Sequence, residues 1–160
     1  MSDGGFNCRL NRSGAVHNSL HSTLSVAEGI REYLMNGYGY RSNELMDAER
    51  SSREFILQHQ LYLSDRTGKI TQKGFIKLSY PGRWRYDILR ALDYFRITGA
   101  SWDSRMESAF DILVRKRRKD GSWTSSKHPG QIHFELEQNG RPSRWNTLRA
   151  LRVLKHFNKL

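Results

Sequence analysis

Residues 83–95 read RWRYDILRALDYF and residues 143–157 read SRWNTLRALRVLKHF, two versions of one helix sharing the frame Leu-Arg-Ala-Leu at Leu89–Leu92 and Leu148–Leu151. A weaker version, LHSTLSVAEGI over Leu20–Ile30, aligns with Leu24, Leu89 and Leu148 in one column. Ser22, Asp87 and Asn146 fall in another column, and all three are residue types that cap helix N-termini. This repetition, more than any single motif, sets the expected architecture.

Each copy follows a similar turn: Asp3-Gly4-Gly5-Phe6, the stretch from Asp65 through Gly68 to Ile70, and Asp120-Gly121-Ser122-Trp123. An apolar or aromatic side chain closes each one. The segments before the second and third turns also superpose, with Phe55 over Phe110 and Leu57 over Ile112. The unit is therefore helix, Asp-Gly turn, loop, helix, with copies roughly 60 residues apart and longer than common solenoid repeats. Such self-similarity predicts stacked units, none of which buries its apolar face alone.

Apolar periodicity and breakers predict helices over Leu20–Met35, Asn43–Tyr62, Arg85–Ile97, Asp103 to about Lys116, and Ser143–Phe157. A short hairpin is expected within Ser64–Arg83, and alternation predicts a short strand over Gln131–Glu137. The order is inner, outer, inner, outer, inner. The fold class read from this is all-α, repeated helix pairs forming one domain over residues 1–160.

The chain has 160 residues, 27 lysines and arginines against 16 acids, and a formal net charge of +11, with arginine outnumbering lysine. That balance favours anionic partners such as phosphates, nucleic acid or a membrane surface; the alternative is a solvated surface with a basic bias. One cysteine, Cys8, excludes an internal disulfide framework and reads as a reducing, cytoplasmic setting. No run is long and apolar enough for a membrane span, and MSDGGF lacks the regions of a secretion signal. No phosphate-binding glycine loop, nucleophile elbow or sequential catalytic triad is present, which excludes those enzyme classes.

The turn in AFDILVRKRRKDGSW (Ala109–Trp123), the paired helices, and the DGGF turn ahead of a histidine-bearing helix start resemble the α/α-toroid superfamily of terpenoid cyclases and protein prenyltransferases. The resemblance covers nearly the whole chain. It implies an inner ring of parallel helices around a pocket, wrapped by an outer ring, and a ligand of isoprenoid type. This chain supplies fewer helix pairs than a complete ring, so the expectation is a partial ring. Because the first turn follows no outer helix, the chain is expected to be a fragment or truncated relative, or to cover its open end with another copy or a partner chain.

If the inner helices face a common axis, residues at i, i+4, i+7 and i+11 form one stripe on each. The stripes are His21, Ser25, Glu28, Glu32; Tyr86, Arg90, Asp93, Ile97; and Trp145, Arg149, Arg152, His156. One reading is a polar-rimmed groove for a small apolar or anionic ligand. His21, Tyr86 and Trp145 stand at its rim, Glu28 and Asp93 serve as acid or base, and Arg90, Arg149 and Arg152 hold an anionic group through guanidinium forks. The other reading is that these are solvated faces of amphipathic helices, cross-linked by pairs among Arg90, Asp93 and Glu28. The opposite rows, Leu24, Ala27, Ile30; Leu89, Leu92, Phe95; and Leu148, Leu151, Leu154, read as packing.

Cys8, His17 and His21 form a second constellation, with zinc as the candidate occupant and Asp3, His128 or His133 as further donors. The resemblance adds that a histidine at this helix start is a zinc ligand in prenyltransferase β subunits, and His21 matches that position. A third constellation runs from His128 to Glu135, where a strand would point His133 and Glu135 to one side. The run from Arg115 to Lys119 either grips nucleic-acid phosphates or complements a helix C-terminus. The competing function is thus a non-catalytic basic helical-repeat module that binds nucleic acid or an acidic protein.

Overall fold

The computed structural model describes residues 3–9, 12, 14–127 and 133–159. Five α-helices dominate among them: α1 (Leu20–Met35), α2 (Ser42–Gln58), α3 (Ile88–Ile97), α4 (Glu107–Arg115) and α5 (Arg144–His156). Two-residue strands, β1 (Trp123–Thr124) and β2 (Pro142–Ser143), pair antiparallel with Trp123 opposite Ser143. The all-α class follows from the apolar periodicity that marks each helix.

Helix limits follow local chemistry. Asp87 accepts from the Arg90 amide at 2.8 Å and starts α3, while Ser143 accepts from the Asn146 amide at 2.9 Å and starts α5. Asp103 accepts from the Arg105 amide at 2.9 Å, opening a 3-10 turn (Ser104–Met106) that leads into α4. Gly99, at φ +67, ends α3 in the left-handed region that glycine tolerates.

Three expectations need correction. In the aligned column of Ser22, Asp87 and Asn146 only Asp87 caps a helix; Ser19 and Ser143 hold the N-cap positions of α1 and α5. Asn146 is buried instead, its Nδ2 donating to the carbonyls of Leu78 and Thr124 at 3.0 and 3.3 Å. α2 stops at Gln58 rather than Tyr62, because Gln60 and Leu61 take positive φ values of 42 and 68. The expected hairpin in the loop after it is one Leu63–Ile70 bridge and a 3-10 turn at Lys73–Ile76, and the described part of the expected strand, 133–137, is irregular.

The contacts fix how the helices run. His21 near the start of α1 accepts from the Tyr86 amide just before α3, and Glu28 further along α1 meets Arg90 within α3, so α1 and α3 are parallel. Trp145 at the start of α5 stacks on Tyr80, Arg149 reaches Asp93, and His156 lies 3.1 Å from the Ala100 carbonyl beyond the end of α3. α5 is therefore parallel to both. α2 runs the other way, its Glu49 meeting Tyr94 while Leu61, beyond its end, accepts from the Tyr86 hydroxyl at 2.6 Å. α4 is antiparallel to α5, with Phe110 against Phe157 and the Leu113 carbonyl accepting from Trp123 Nε1 at 2.7 Å.

Backbone details recur between the first and third copies. The amides of Phe6 and Trp123, each closing an Asp-Gly turn, donate to Thr23 Oγ1 and Thr147 Oγ1 at 2.9 and 3.0 Å. Between the second and third copies, Ser64 donates to Lys69 and Arg118 to Ser122, both at 2.8 Å, as bridges Leu63–Ile70 and Arg117–Trp123 close. The core fills the space between parallel and antiparallel helices, with Leu24, Ile56, Ile88, Leu89, Leu92, Leu113 and Trp123 fully buried. One packing expectation fails: Leu24 and Leu89 are both 0% exposed, yet Leu148 in the same column is 49% exposed. Its edge of α5 meets no further helix among the described residues, and α5 buries Asn146, Ala150, Val153 and Leu154 instead.

Candidate ligand-binding groove

An open groove of about 880 Å³ lies where the segment 6–9 passes the first turns of α1 and where Trp84-Arg85 approaches α3. Phe6, His21, Val26 and Trp84 supply its apolar wall, and Arg9, Arg85, Ser22 and Gln72 its polar rim. Its size falls within the range of about 300–1,000 Å³ usual for small-molecule sites.

His21 is the fixed point of this groove. Its Nδ1 accepts from the Tyr86 amide at 2.8 Å, and Nε2 faces Gln72 Oε1 at 3.4 Å, which makes Nε2 the protonated nitrogen. Phe75 packs on the ring edge-on at 5.1 Å and Trp84 leans over it at 5.3 Å. Burial holds the imidazole below its ordinary pKa of 6.5; the Gln72 contact opposes this, and the charges of Arg85 and Arg90 add to it. Trp84 itself is 61% exposed, and the Arg85 guanidinium sits 4.8 Å from its ring centroid.

Tyr86 and Trp145 do not join His21 at a common rim. Tyr86 is buried beneath it, hydroxyl tied to Leu61, and Trp145 stacks on Tyr80 at 5.1 Å outside the groove wall. Sequence reasoning missed Trp84 and Arg85 as wall residues. The sequence signal is a Trp-Arg pair immediately after Tyr80-Pro81-Gly82, outside the i, i+4, i+7 stripe of the helix that follows.

The charged stripe residues do converge, around a second cavity of about 300 Å³ bordered by Glu28, Glu32, Arg90, Asp93 and Arg149. They meet as cross-braces. Arg90 donates from Nε to Glu28 Oε1 at 2.9 Å, from Nη2 to Glu28 Oε2 and to Ser25 Oγ, and from Nη1 to the Arg85 carbonyl at 2.9 Å. Asp93 is held by Arg96 Nε at 2.7 Å and by Arg149 Nε at 3.6 Å. These contacts match the cross-linked reading of the stripes, in which each carboxylate faces a guanidinium of the next helix. Arg152 lies exposed on α5 and makes no ion pair among the described residues.

The zinc constellation does not assemble. Cys8 and His21 border the same groove, but both His21 nitrogens are engaged, and the Cys8 amide, not its thiol, meets Ser22 Oγ at 3.2 Å. His17 contributes its carbonyl, accepting from Asn7 Nδ2 at 2.6 Å. Among the described residues no group of three or more His, Cys, Asp or Glu side chains is placed to hold a metal ion. His128 to Ile132 lie outside the described residues; His133 and Glu135 border a cavity of about 170 Å³ with Tyr80 and Lys127. In the basic run, Arg117 lies 5.5 Å from the Trp123 ring and bonds the Gly121 carbonyl, while Arg118 pairs with Asp120.

No family model matches this chain, and no curated protein or solved structure is significantly similar to it. No helix among the described residues is long and apolar enough to cross a membrane.

Proposed function

We propose that this chain is a partial α/α toroid of the terpenoid-cyclase and prenyltransferase type that binds a small molecule with an apolar body and an anionic head. The observation that carries this reading is the exposed Trp84 ring at the mouth of the groove, with the Arg85 guanidinium against it and His21 and Phe6 in the wall behind. An aromatic wall accepts an isoprenoid-like chain by burial, and the cations at its edge accept a phosphate or carboxylate. The parallel inner helices and the recurring turns support the family reading. The role is binding rather than catalysis, because the stripe carboxylates stand in ion pairs and border the second cavity, not the groove lined by Trp84.

Titration with farnesyl diphosphate, followed by tryptophan fluorescence and native mass spectrometry, tests this. Saturable quenching that Trp84→Ala abolishes and Arg85→Ala weakens supports it; a spectrum unchanged by the ligand overturns it. The exposed Trp84–Arg85 pair on a chain of net charge +11 also suits stacking on single-stranded nucleic acid. RNA binding that falls steeply with salt, with no response to farnesyl diphosphate, decides for that second reading.

A further inference from the structure

The loops that lead into α1, α3 and α5 come together at one end of the molecule, because the three helices are parallel and all start there. Over residues 4–19, 66–86 and 121–134 these loops carry nine Lys and Arg and no Asp or Glu, in a chain with 16 acids elsewhere. Just before α5, Glu137 turns its charge inward: its Oε1 accepts from the Arg144 and Trp145 amides at 2.8 and 3.3 Å, and its Oε2 is buried. Glu135 is the one acid of residues 133–143 left exposed. Each loop also exposes apolar surface: Val16 before α1, Trp84 before α3, Phe134 and Leu136 before α5, with Trp145 in the first turn of α5. These pieces adjoin. Arg9 and Trp84 border the groove at the start of α1, Arg83, Lys127, Phe134 and Leu136 border the cavity beside Tyr80, and Tyr80 stacks on Trp145. The opposite end differs in charge. Met35, Tyr38 and Tyr40 are exposed there, but Arg31 is matched by Glu32, Arg41 by Glu44 and Arg50 by Asp47.

We infer that the end of the molecule carrying Trp84 and Trp145 docks on an anionic lipid surface, lying on the bilayer without crossing it. A face rich in arginine and lysine and nearly devoid of acids selects a negatively charged partner. Tryptophan, phenylalanine and aliphatic side chains set among those cations gain by entering the headgroup region, where aromatic rings concentrate at membrane interfaces. Nucleic acid offers the same charge but gains nothing from Val16 or Leu136, and Tyr80 already covers one face of the Trp145 ring on which a base would stack. Docking of this kind is independent of what occupies the groove.

Co-sedimentation with vesicles tests this, using phosphatidylcholine alone and phosphatidylcholine containing about one third phosphatidylserine. The full chain is expected to pellet with the anionic vesicles only, less so as salt rises, and its tryptophan emission to shift to the blue. Trp123 is fully buried and Trp102 half-buried, so the shift reports chiefly Trp84 and Trp145. Arg144→Ala weakens partitioning about fivefold, the share of one cation at a charged leaflet, and Arg144→Lys restores it. Trp145→Ala weakens partitioning with the salt dependence retained. Lys155→Ala makes the same change of charge at the far end of α5 and leaves partitioning as in wild type. All four positions are exposed or rim sites, and unchanged circular dichroism confirms that each variant is folded. Equal losses in the Arg144→Ala and Lys155→Ala variants mark unspecific adsorption of a basic chain and overturn the proposal. Failure to pellet, pelleting without a blue shift, or binding to RNA but not to anionic vesicles overturns it as well.

Discussion

Arg149 Nε lies 3.6 Å from Asp93 Oδ2, and this pair reproduces one helix later the contact of Arg90 with Glu28. In each case an arginine near the start of a helix reaches back to an acid one turn further along the preceding parallel helix. A single spacing rule therefore ties α1 to α3 and α3 to α5, with charges that are largely shielded from water on the Arg90, Asp93 and Arg149 side chains. Desolvation offsets much of what such a pair gains, whereas removing one partner leaves the other stranded.

Breaking one brace should be costly because it strands the partner. Arg90→Ala removes the donors to Glu28, Ser25 and the Arg85 carbonyl and should destabilise the fold by about 2–3 kcal/mol. The double variant with Glu28→Gln should recover part of that loss. Urea denaturation of the two single variants and the double variant measures the coupling, and additive losses would mean that the two side chains do not act as a pair.

The threonines under the turns should behave alike. Thr23→Val leaves the Phe6 amide without its acceptor, and Thr147→Val does the same to the Trp123 amide. Each should cost about 1–3 kcal/mol, the penalty for an unsatisfied partly buried donor. Thermal unfolding of both variants gives the comparison; a cost confined to one of them would break the structural equivalence of the first and third copies.

His21 should make the fold acid-sensitive. Burial holds its folded-state pKa below the ordinary 6.5, so the unfolded chain binds the proton more readily. The stability this group contributes is complete above that ordinary value and is lost as pH falls through the lower folded value, where Nδ1 can no longer accept from the Tyr86 amide. His21→Gln should flatten the difference in stability between about pH 7 and about pH 5. Chemical denaturation across that interval measures it, and parallel curves for both proteins would remove His21 from the account.

Asp87 carries the opposite sign. Burial raises its pKa, against the pull of Arg149, the Arg90 amide and the Arg90 charge. The folded state thus holds the proton more tightly than the unfolded chain, and this contribution declines as pH rises through the folded value. Asp87→Asn should keep the cap on the Arg90 amide and remove this group's share of the pH dependence, while Asp87→Ala should lose about 1–2 kcal/mol. Amide hydrogen exchange in the first turn of α3 reads the cap directly: faster exchange in the alanine variant only is the expected pattern.

The helices and their punctuation were legible because each rests on local rules. The 3.6-residue period, Asp87 and Ser143 as side-chain acceptors, and the glycines after α1 and α3 act within a few residues of themselves. Leu20–Met35 is legible to the residue for that reason, whereas the end of α2 is not, because the positive φ of Gln60 and Leu61 goes with burial of Leu61 and with its carbonyl meeting Tyr86. The stripe residues were legible as a group, but their pairing was not: spacing places Glu28 and Arg90 on inward faces without saying that each is the other's partner.

From the sequence alone came the repeat, the helical class and the inward rows of charge, since these follow from periodicity and residue type. Tertiary structure decided that the rows close into ion pairs, that the groove wall is made by Trp84 and Arg85, and that Leu148 is exposed where Leu24 and Leu89 are buried. The physical reason is that burial belongs to neighbours: three leucines in one column have the same chemistry, and only the presence or absence of a following helix gives them different surroundings.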